Sequence, residues 1–475
     1  MTAAPPPAPD PRTVNVTDLV DAGRLGRFHL GAFAVLGGCL VMDGFDLQAM
    51  GYAAPALARD WGLPIARLGP VFGAGLLGLF LGSILAGMAA DRIGRRPVLI
   101  GATAVFGAFT LATAAAGSMP ALLAARFVAG LGLGAIMPNA TALVGEYAPR
   151  RNRVATMMIV TNGFMVGAVA AGALSAWLVP AHGWRAPFWI GGAIPLLLLP
   201  PMARWLPESL QLLAVSGRRP AELARWLRRA APGAPVGPGV RYTVREAPRR
   251  GFVLLELLRD GRATATVLLW LANFANMIVI YAVASWLPTL VREAGFSTAT
   301  AVWAGTAVQL GGLVGTVVLG LVLQRLGFVP VLASCFAAAA ACLLVLGRPG
   351  LPLAALLAVA FAVGWAVQGG QPGLNALAAT FYPTDLRSTG IGAGLGVGRL
   401  GGFLGPVVAG ALLAGGGGAQ AVFQAAAVPA AVSALVMLAL RRAAPSVGAS
   451  APDGGRPRTA GGAPTGRGER GPGPC

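Results

Sequence analysis

Lysine is absent from this chain of 475 residues, so all 36 basic positions are arginine. Charge of either sign is scarce: 11% of the residues are charged and 56% are hydrophobic. That balance excludes an ordinary soluble globular domain. Beside abundant Ala, Gly and Pro, the missing lysine reads as codon bias in a GC-rich genome. The formal charge of +19 would suit nucleic acid, but the arginines sit between apolar runs and at the ends. No soluble basic face results, and no nucleic-acid partner is expected. Cysteine is rare as well: Cys39, Cys335, Cys342 and Cys475. Three lie in apolar runs, no spacing suits a disulfide framework or metal site, and Cys475 is not a prenylation box. No cleavable leader is expected, because the start is polar and Pro-rich and the first apolar run is too long for a signal core. No nucleophile–base pair occurs in the apolar runs, and His182 is a lone loop histidine. An enzyme, a metal or a cofactor is therefore not expected.

What is present is a series of apolar runs, each near the roughly 20 residues that a helix needs to cross a bilayer. They cover about 29–57, 68–90, 97–117, 120–145, 154–179, 184–204, 263–288, 297–322, 328–346, 351–381, 389–413 and 419–440. The chain reads as an all-α membrane protein of twelve transmembrane helices. Its expected parts are a cytoplasmic N-terminal segment (1–28), a six-helix half (29–204), a cytoplasmic central loop (205–262), a second six-helix half (263–441) and a disordered cytoplasmic tail (442–475). A helix is expected at about 220–229 in the loop, and a short amphipathic turn at 16–20.

Arginine placement sets the orientation. Arg92, Arg95 and Arg96 follow the second span, Arg150, Arg151 and Arg153 the fourth, and a long series fills the central loop. The opposite loops hold only Arg59, Arg67, Arg185, Arg292 and Arg348. Both termini are expected in the cytoplasm of a bacterial cell, with the spans in the inner membrane.

The two halves are repeats. Pro55…Arg59-Asp60 matches Pro288…Arg292-Glu293, and Gly82…Gly87…Arg92-Ile93-Gly94 matches Gly315…Gly320…Arg325-Leu326-Gly327, both at an offset of 233 (288 − 55; 315 − 82). Six spans and a cytoplasmic loop return the chain to its starting side, so the repeat is parallel. Such a pair of halves suits a transporter with its substrate at the midplane, opened alternately to each side.

The first span contains Asp43-Gly44-Phe45-Asp46 inside an otherwise apolar run. A charge at that depth costs several kcal/mol or more unless paired, hydrated or protonated. At i and i+3 the two acids share a helix face. Arg126, in the fourth span, lies at the depth of Asp46, which makes an Asp46–Arg126 pair the natural reading. A carboxylate beside a guanidinium holds its charge, and one buried in hydrocarbon takes a proton. A group caught between the two is what a proton carrier needs; a permanent structural bridge is the alternative. By the repeat offset Asp43 corresponds to Asn276 (276 − 43 = 233), so the acids belong to one half only.

Arg399, in the eleventh span, comes at about mid-depth within a run of alternating glycines, with no acid in the seventh or eighth span to neutralise it. A planar carboxylate suits its fork; exposed backbone carbonyls would be its structural partners otherwise. Around this height the second half supplies Asn273, Asn276, Gln309, Gln368 and Gln371, with Trp303, Trp365, Phe274, Tyr281 and Phe361. Amides and aromatic faces suit a hydroxylated aromatic ring.

The loop after the second span, Gly82-x4-Gly87-x3-Asp91-Arg92-x-Gly94-Arg95-Arg96, resembles the signature of the major facilitator superfamily. In its second copy Gln324 replaces Asp91. Asp43-Gly44-Phe45-Asp46, Glu146-Tyr147-Ala148-Pro149, Leu206-Pro207-Glu208-Ser209 and Tyr382-Pro383-Thr384-x2-Arg387-x-Thr389-Gly390 further resemble the aromatic acid/proton symporter family within it, over about 15–440. The resemblance implies a major facilitator fold and import of a benzoate- or hydroxybenzoate-type carboxylate, driven by the proton gradient. It carries functional weight onto Asp43, Asp46, Asp91 and Arg126, and onto Glu146, Arg387 and Arg399. Proton coupling is expected at Asp43, Asp46 and Arg126, and substrate binding at Arg399, Asn273, Asn276, Gln309, Gln368, Trp303 and Trp365. Gating is expected from Asp91, Arg92, Arg95, Glu146, Arg153 and Arg387. The partners are then a small aromatic carboxylate, protons and the lipid bilayer, with the chain as a monomer. A symporter for another organic anion or sugar acid is the first alternative. A drug/proton antiporter is the second, although the fifth span, Gly163-x3-Gly167-x4-Gly172, lacks the Gly-Pro pair that resembles an exporter signature.

Overall fold

In hydrocarbon a backbone can satisfy its own polar groups only as helix or closed barrel, and the apolar runs fold accordingly. The computed structural model describes residues 13–217, 219–233, 240–244, 253–259, 261–382 and 386–443. In the first half α1 (Val16–Ala22) precedes α2 (Arg27–Asp60), α3 (Gly69–Ile93), α4 (Arg95–Ala115), α5 (Met119–Tyr147), α6 (Arg153–Thr161), α7 (Gly163–His182) and α8 (Ala186–Trp205). The central segment holds α9 (Leu210–Ser216) and α10 (Pro220–Ala230). The second half is α11 (Ala263–Glu293), α12 (Thr298–Leu326), α13 (Phe328–Leu346), α14 (Leu353–Phe381), α15 (Arg387–Ala414) and α16 (Gly418–Ala443). Among the described residues twelve helices are long and apolar enough to cross a membrane, α6 and α7 together forming the fifth. That span is interrupted at Asn162, beside Gly163, which packs against the Gly37 carbonyl. The tail from 444 onward lies outside the described residues.

The internal repeat is visible in the packing. α2 on α7, α3 on α5 and α4 on α8 in the first half correspond to α11 on α15, α12 on α14 and α13 on α16 in the second. It extends to single glycines. Gly78 lies against the Phe127 carbonyl, and Gly311, 233 residues later, against the Phe361 carbonyl. A Cβ at either would overlap a backbone oxygen, so only glycine allows these helices to approach so closely.

One end of the bundle carries the N-terminal arm and the central segment. There β1 (Thr13–Asn15) pairs in parallel with β2 (Arg241–Thr243), and Trp226 of α10 packs beside Phe28. These three-residue strands are too short to leave an alternating pattern in the sequence. The opposite, far end is closed by contacts between the halves. Trp286 of α11, fixed within its own half by donating to the Pro406 carbonyl of α15 at 2.9 Å, packs tilted against Phe72 of α3 in the other half at 5.2 Å. Gly69 of α3 meets Gly410 of α15, and Gly172 of α7 meets Thr306 of α12.

Toward the terminal end these helices part. On α15, Gly392, Gly396, Arg399 and Phe403 follow one another on a single face at helical spacing. Phe403 reaches α3 at Gly73, but nothing approaches a Cβ position at Gly396 or Gly392 within 4 Å. The cleft between the halves is therefore shut at the far end and open at the terminal end. We expect a cysteine at Gly392 or Gly396, in a cysteine-free background, to react with a membrane-impermeant maleimide added on the side of the termini. A cysteine at Thr289, fully buried in the far closure, should stay unmodified under the same conditions. Equal labelling of the two would contradict the one-sided opening.

Candidate functional site

Four charged side chains occupy the middle of the bundle: Asp43 and Asp46 on α2, Arg126 on α5 and Arg399 on α15. Asp43 is about 24 Å along α2 from Arg27, at 1.5 Å per residue. Neither acid faces lipid, since Asp43 is 3% and Asp46 0% exposed. Small neighbours bring α2 deep enough into the bundle for this. Gly44 packs on the backbone of Phe164 in α7, and Phe45 fits over Gly191 of α8.

The depth argument for Asp46 and Arg126 is realised in the geometry. Arg126 Nη1 lies 3.0 Å from Asp46 Oδ1 and 2.9 Å from Oδ2. The Thr110 hydroxyl of α4 donates to Oδ1 at 3.1 Å. Phe188 of α8 stands beneath the guanidinium at 5.7 Å, a cation–π contact that strengthens when desolvated. Thr110 is fully buried. Sequence reading passed over it, although a hydroxyl at mid-span was the available signal.

Asp43 has a different setting. It shares the face of Leu47 and Met50, which line a cavity with Arg126, Tyr281 and Ser285 between the halves. Neither of its oxygens takes a hydrogen bond or ion pair among the described residues, and Oδ1 is fully enclosed. Arg399 and Tyr281 face it from the other half within electrostatic range. Arg399 likewise donates no hydrogen bond among the described residues, so exposed glycine carbonyls there are not its partners. Gly398 and Gly402, beside Met277 and the Tyr281 ring, set α15 close to α11 at this level.

The amides divide into two groups. Asn276 donates to the Val367 carbonyl at 3.2 Å and to Gln371 Oε1 at 2.7 Å. Gln371 in turn donates to Asn273 Oδ1 at 2.9 Å and to Asn375 Oδ1 at 3.3 Å. This chain ties α11 to α14, and Asn375 is a member that sequence reading did not include. Gln309 and Gln368 are buried, each with a carbonyl oxygen lacking a partner. Gln368 lies against Gly312 of α12. Trp365 is partly buried beside the core.

Trp303 does not belong to the site. It is 50% exposed and continues an outward stripe through Leu310, Val314, Val317 and Leu321. The spacing of that stripe is helical, so Trp303 sits on the lipid-facing side of α12.

The expected gate residues are also placed differently from a single network. Asp91 and Arg92 are exposed and carry no ion pair among the described residues. Glu146 pairs with Arg95 at 2.6 Å and accepts from the Ser209 hydroxyl at 2.7 Å. Arg153 pairs with Asp21 of the N-terminal arm and donates to the Ala148 carbonyl. The side chain of Arg387 lies outside the described residues. The acid that organises this end is Glu208, buried at 1% exposure. Its Oε1 accepts from the backbone N–H of Arg95 at 2.7 Å, of Arg96 at 3.3 Å and of Ser209 at 2.8 Å. A carboxylate on the first turn of α4 satisfies free N–H groups and matches the helix dipole. Gly94, at φ +112°, brings that turn against Glu208 where a Cβ would collide with the carboxylate. Arg96 closes the corner through the Leu206 carbonyl at 2.9 Å and the Ala203 carbonyl at 2.6 Å. These bonds all lie in the first half and its adjoining segment, so the halves can part here without breaking them.

The sequence profile of the Major Facilitator Superfamily matches residues 36–302 and 269–466. A gallate transporter of Pseudomonas putida is 37% identical over 440 residues, covering 91% of this chain and 96% of the relative. The 4-hydroxybenzoate transporter PcaK of Acinetobacter baylyi is 37% identical, covering 83% and 87%. The 3-(3-hydroxy-phenyl)propionate transporter of Escherichia coli is 38% identical, covering 82% and 88%. Among solved structures, a D-xylose-proton symporter superposes with a TM-score of 0.66 at 18% identity, covering 86% of this chain and 97% of that one. At that identity it establishes the fold alone.

Replacing Glu208 by Ala would leave three backbone donors without their acceptor, at a cost of about 1.5–3 kcal/mol. We expect a clearly lowered Tm for Glu208→Ala in detergent and a smaller drop for Glu208→Gln, which keeps an acceptor oxygen. Asp91→Asn should leave Tm unchanged. A Tm for Glu208→Ala within error of the wild type would contradict the capping role.

Proposed function

The chain belongs to the major facilitator superfamily, a family of membrane transporters and not enzymes, and from that premise we propose that it imports an aromatic carboxylate together with protons across the bacterial inner membrane by alternating access. Relatives that carry gallate, 4-hydroxybenzoate and hydroxyphenylpropionate over most of this length support the substrate class. The observation that carries the reading is the row of buried charges crossing from one half to the other, Arg126–Asp46 and then Asp43 facing Arg399. It lies where the cleft ends.

In this reading Arg399 is the anion site. It is the one guanidinium of the central row not already bonded to an acid, and bidentate pairing with a carboxylate is its strongest use. Tyr281 and Trp365 offer aromatic faces, and Gln309 and Gln368 offer amide groups for ring substituents. Asn273 and Asn276 hold α11 on α14 and shape the cavity wall. Proton coupling falls to the cluster of Asp43, Asp46 and Arg126, one acid of which takes the proton; the proton gradient is the driving force and no cofactor is needed. The arginine-rich terminal end faces the cytoplasm, in accord with the positive-inside rule. The conformation is then inward-open, and the chain works as a monomer. Asp91 and Arg92, unpaired here, are free to contact the other half when this end closes, while Arg95, Glu146 and Arg153 keep the first half intact.

A carrier of another organic anion would use the same guanidinium, so competition separates the readings. We expect unlabelled gallate or 4-hydroxybenzoate, and not citrate or shikimate, to block uptake of labelled 4-hydroxybenzoate in proton-energised vesicles. Arg399→Ala should weaken binding by about two orders of magnitude, in line with roughly 2–3 kcal/mol for hydrogen bonds to a charged group. Competition by citrate alone would reject the aromatic substrate.

A further inference from the structure

The two acids of α2 are bonded so differently that they cannot share one job. Asp46 is held: its Oδ1 accepts from Arg126 and from Thr110, and its Oδ2 lies 2.9 Å from the same Arg126 nitrogen. Arg126 is 4% exposed and takes no other acid. Protonating Asp46 would leave that guanidinium buried without its counter-charge, which costs several kcal/mol. An arginine cannot relieve the cost by releasing its own proton. Asp43, three residues away, holds no hydrogen bond or ion pair among the described residues. The titratable groups that face it are Asp46 and Cys39 on its own helix, Tyr281 from α11 and Arg399 from α15.

Counting charge in the central row decides how a substrate enters. Two carboxylates and two guanidinia balance. A substrate carboxylate arriving at Arg399 would make three anions against two cations once the cleft closes over the site. Balance returns when one proton arrives with it. Asp43 can take that proton without stranding a cation, because the incoming carboxylate replaces it as the counterion of Arg399.

Resting on the transport reading above, we propose that Asp43 is the proton-carrying residue and that it and the substrate carboxylate alternate as counterion to Arg399, while the Asp46–Arg126 pair stays closed throughout. One O–H bond forms at the Asp43 carboxyl when the anion docks. It breaks, releasing the proton, when the anion leaves and Asp43 faces Arg399 again. One proton then moves per carboxylate, and import of a monoanion is electrically neutral.

The test uses the purified full-length chain in liposomes. Wild-type accumulation of 4-hydroxybenzoate should follow a pH gradient and be indifferent to a potassium–valinomycin potential at equal pH. Anion affinity should fall as pH rises, by up to about tenfold per unit for one linked proton. Asp43→Asn should flatten that pH dependence, abolish accumulation and retain counterflow exchange within about twofold. Asp46→Asn should lose exchange as well. Accumulation driven by potential alone, measured on unmodified protein and so independent of any variant's folding, would overturn the proposal. So would gradient-driven accumulation by Asp43→Asn. Both results leave the aromatic-acid reading standing; a wild type that binds and moves no aromatic acid would remove that reading and this mechanism together.

Discussion

A charge inside hydrocarbon must meet an opposite charge, and this requirement orders the rest of the molecule. Among the described residues the arginines that reach the middle of the spans are Arg126 and Arg399, and the acids that join them there are Asp43 and Asp46. Arg95, Arg96 and Arg153 lie instead at helix ends, where they hold the first half together. Asp46 and Arg126 meet the requirement with direct bonds inside one half. Asp43 and Arg399 meet it only in sum, each across the cleft from the other. The same electrostatic rule thus yields one fixed pair and one open pair, and the open pair lies at the surface that has to move.

Movement requires that each half hold together by itself. In the first half Glu208 fastens α8 and its exit to the start of α4, Glu146 joins Arg95 to Ser209, and the Tyr147 hydroxyl donates to the Glu208 carbonyl. In the second half the amide chain through Asn276, Gln371 and Asn273 binds α11 to α14. Contacts between the halves at the far end are of another kind: glycine on glycine, ring on ring, and the edge of Tyr52 at Gly305. Such contacts carry no buried ion pair, so they can separate without stranding a charge.

Much of this was legible in the sequence because its physical signals are local or additive. Apolar length reports a span, and an offset of 233 recurs because the two halves solve one packing problem twice. Counting depth from two helix ends was enough to join Asp46 to Arg126. What escaped depended on rotation about a helix axis. Trp303 shares a depth with the amides, but its face looks outward, and depth alone cannot separate the two. Asn273 and Asn276 were recognised as polar, yet their partners lie on α14 and so occupy them. Glu208 stood inside a recognised motif without a role, since a cap made 113 residues away from Arg95 leaves no periodic trace. Asp91 drew attention as the signature acid, and the buried work at that end falls to Glu208.

The asymmetry of the repeat carries the functional point. Two copies of one fold would by default place equivalent groups on both sides of the cleft. Here the position equivalent to Asp43 is Asn276, already hydrogen-bonded, and the second half contributes an arginine on a helix whose neighbours are glycines. Had both halves kept acids, the cleft would hold like charges that repel when it closes. Had both kept arginines, an anion would bind with no group to answer for the added charge. Dividing the signs between the halves makes closing favourable when the cleft is empty and the acid ionised. It makes closing favourable again when an anion has arrived and the acid has been neutralised. The half-loaded states, anion without proton or proton without anion, leave one buried charge unanswered and resist closure. Coupling then needs no dedicated gate: it follows from where the two signs were placed.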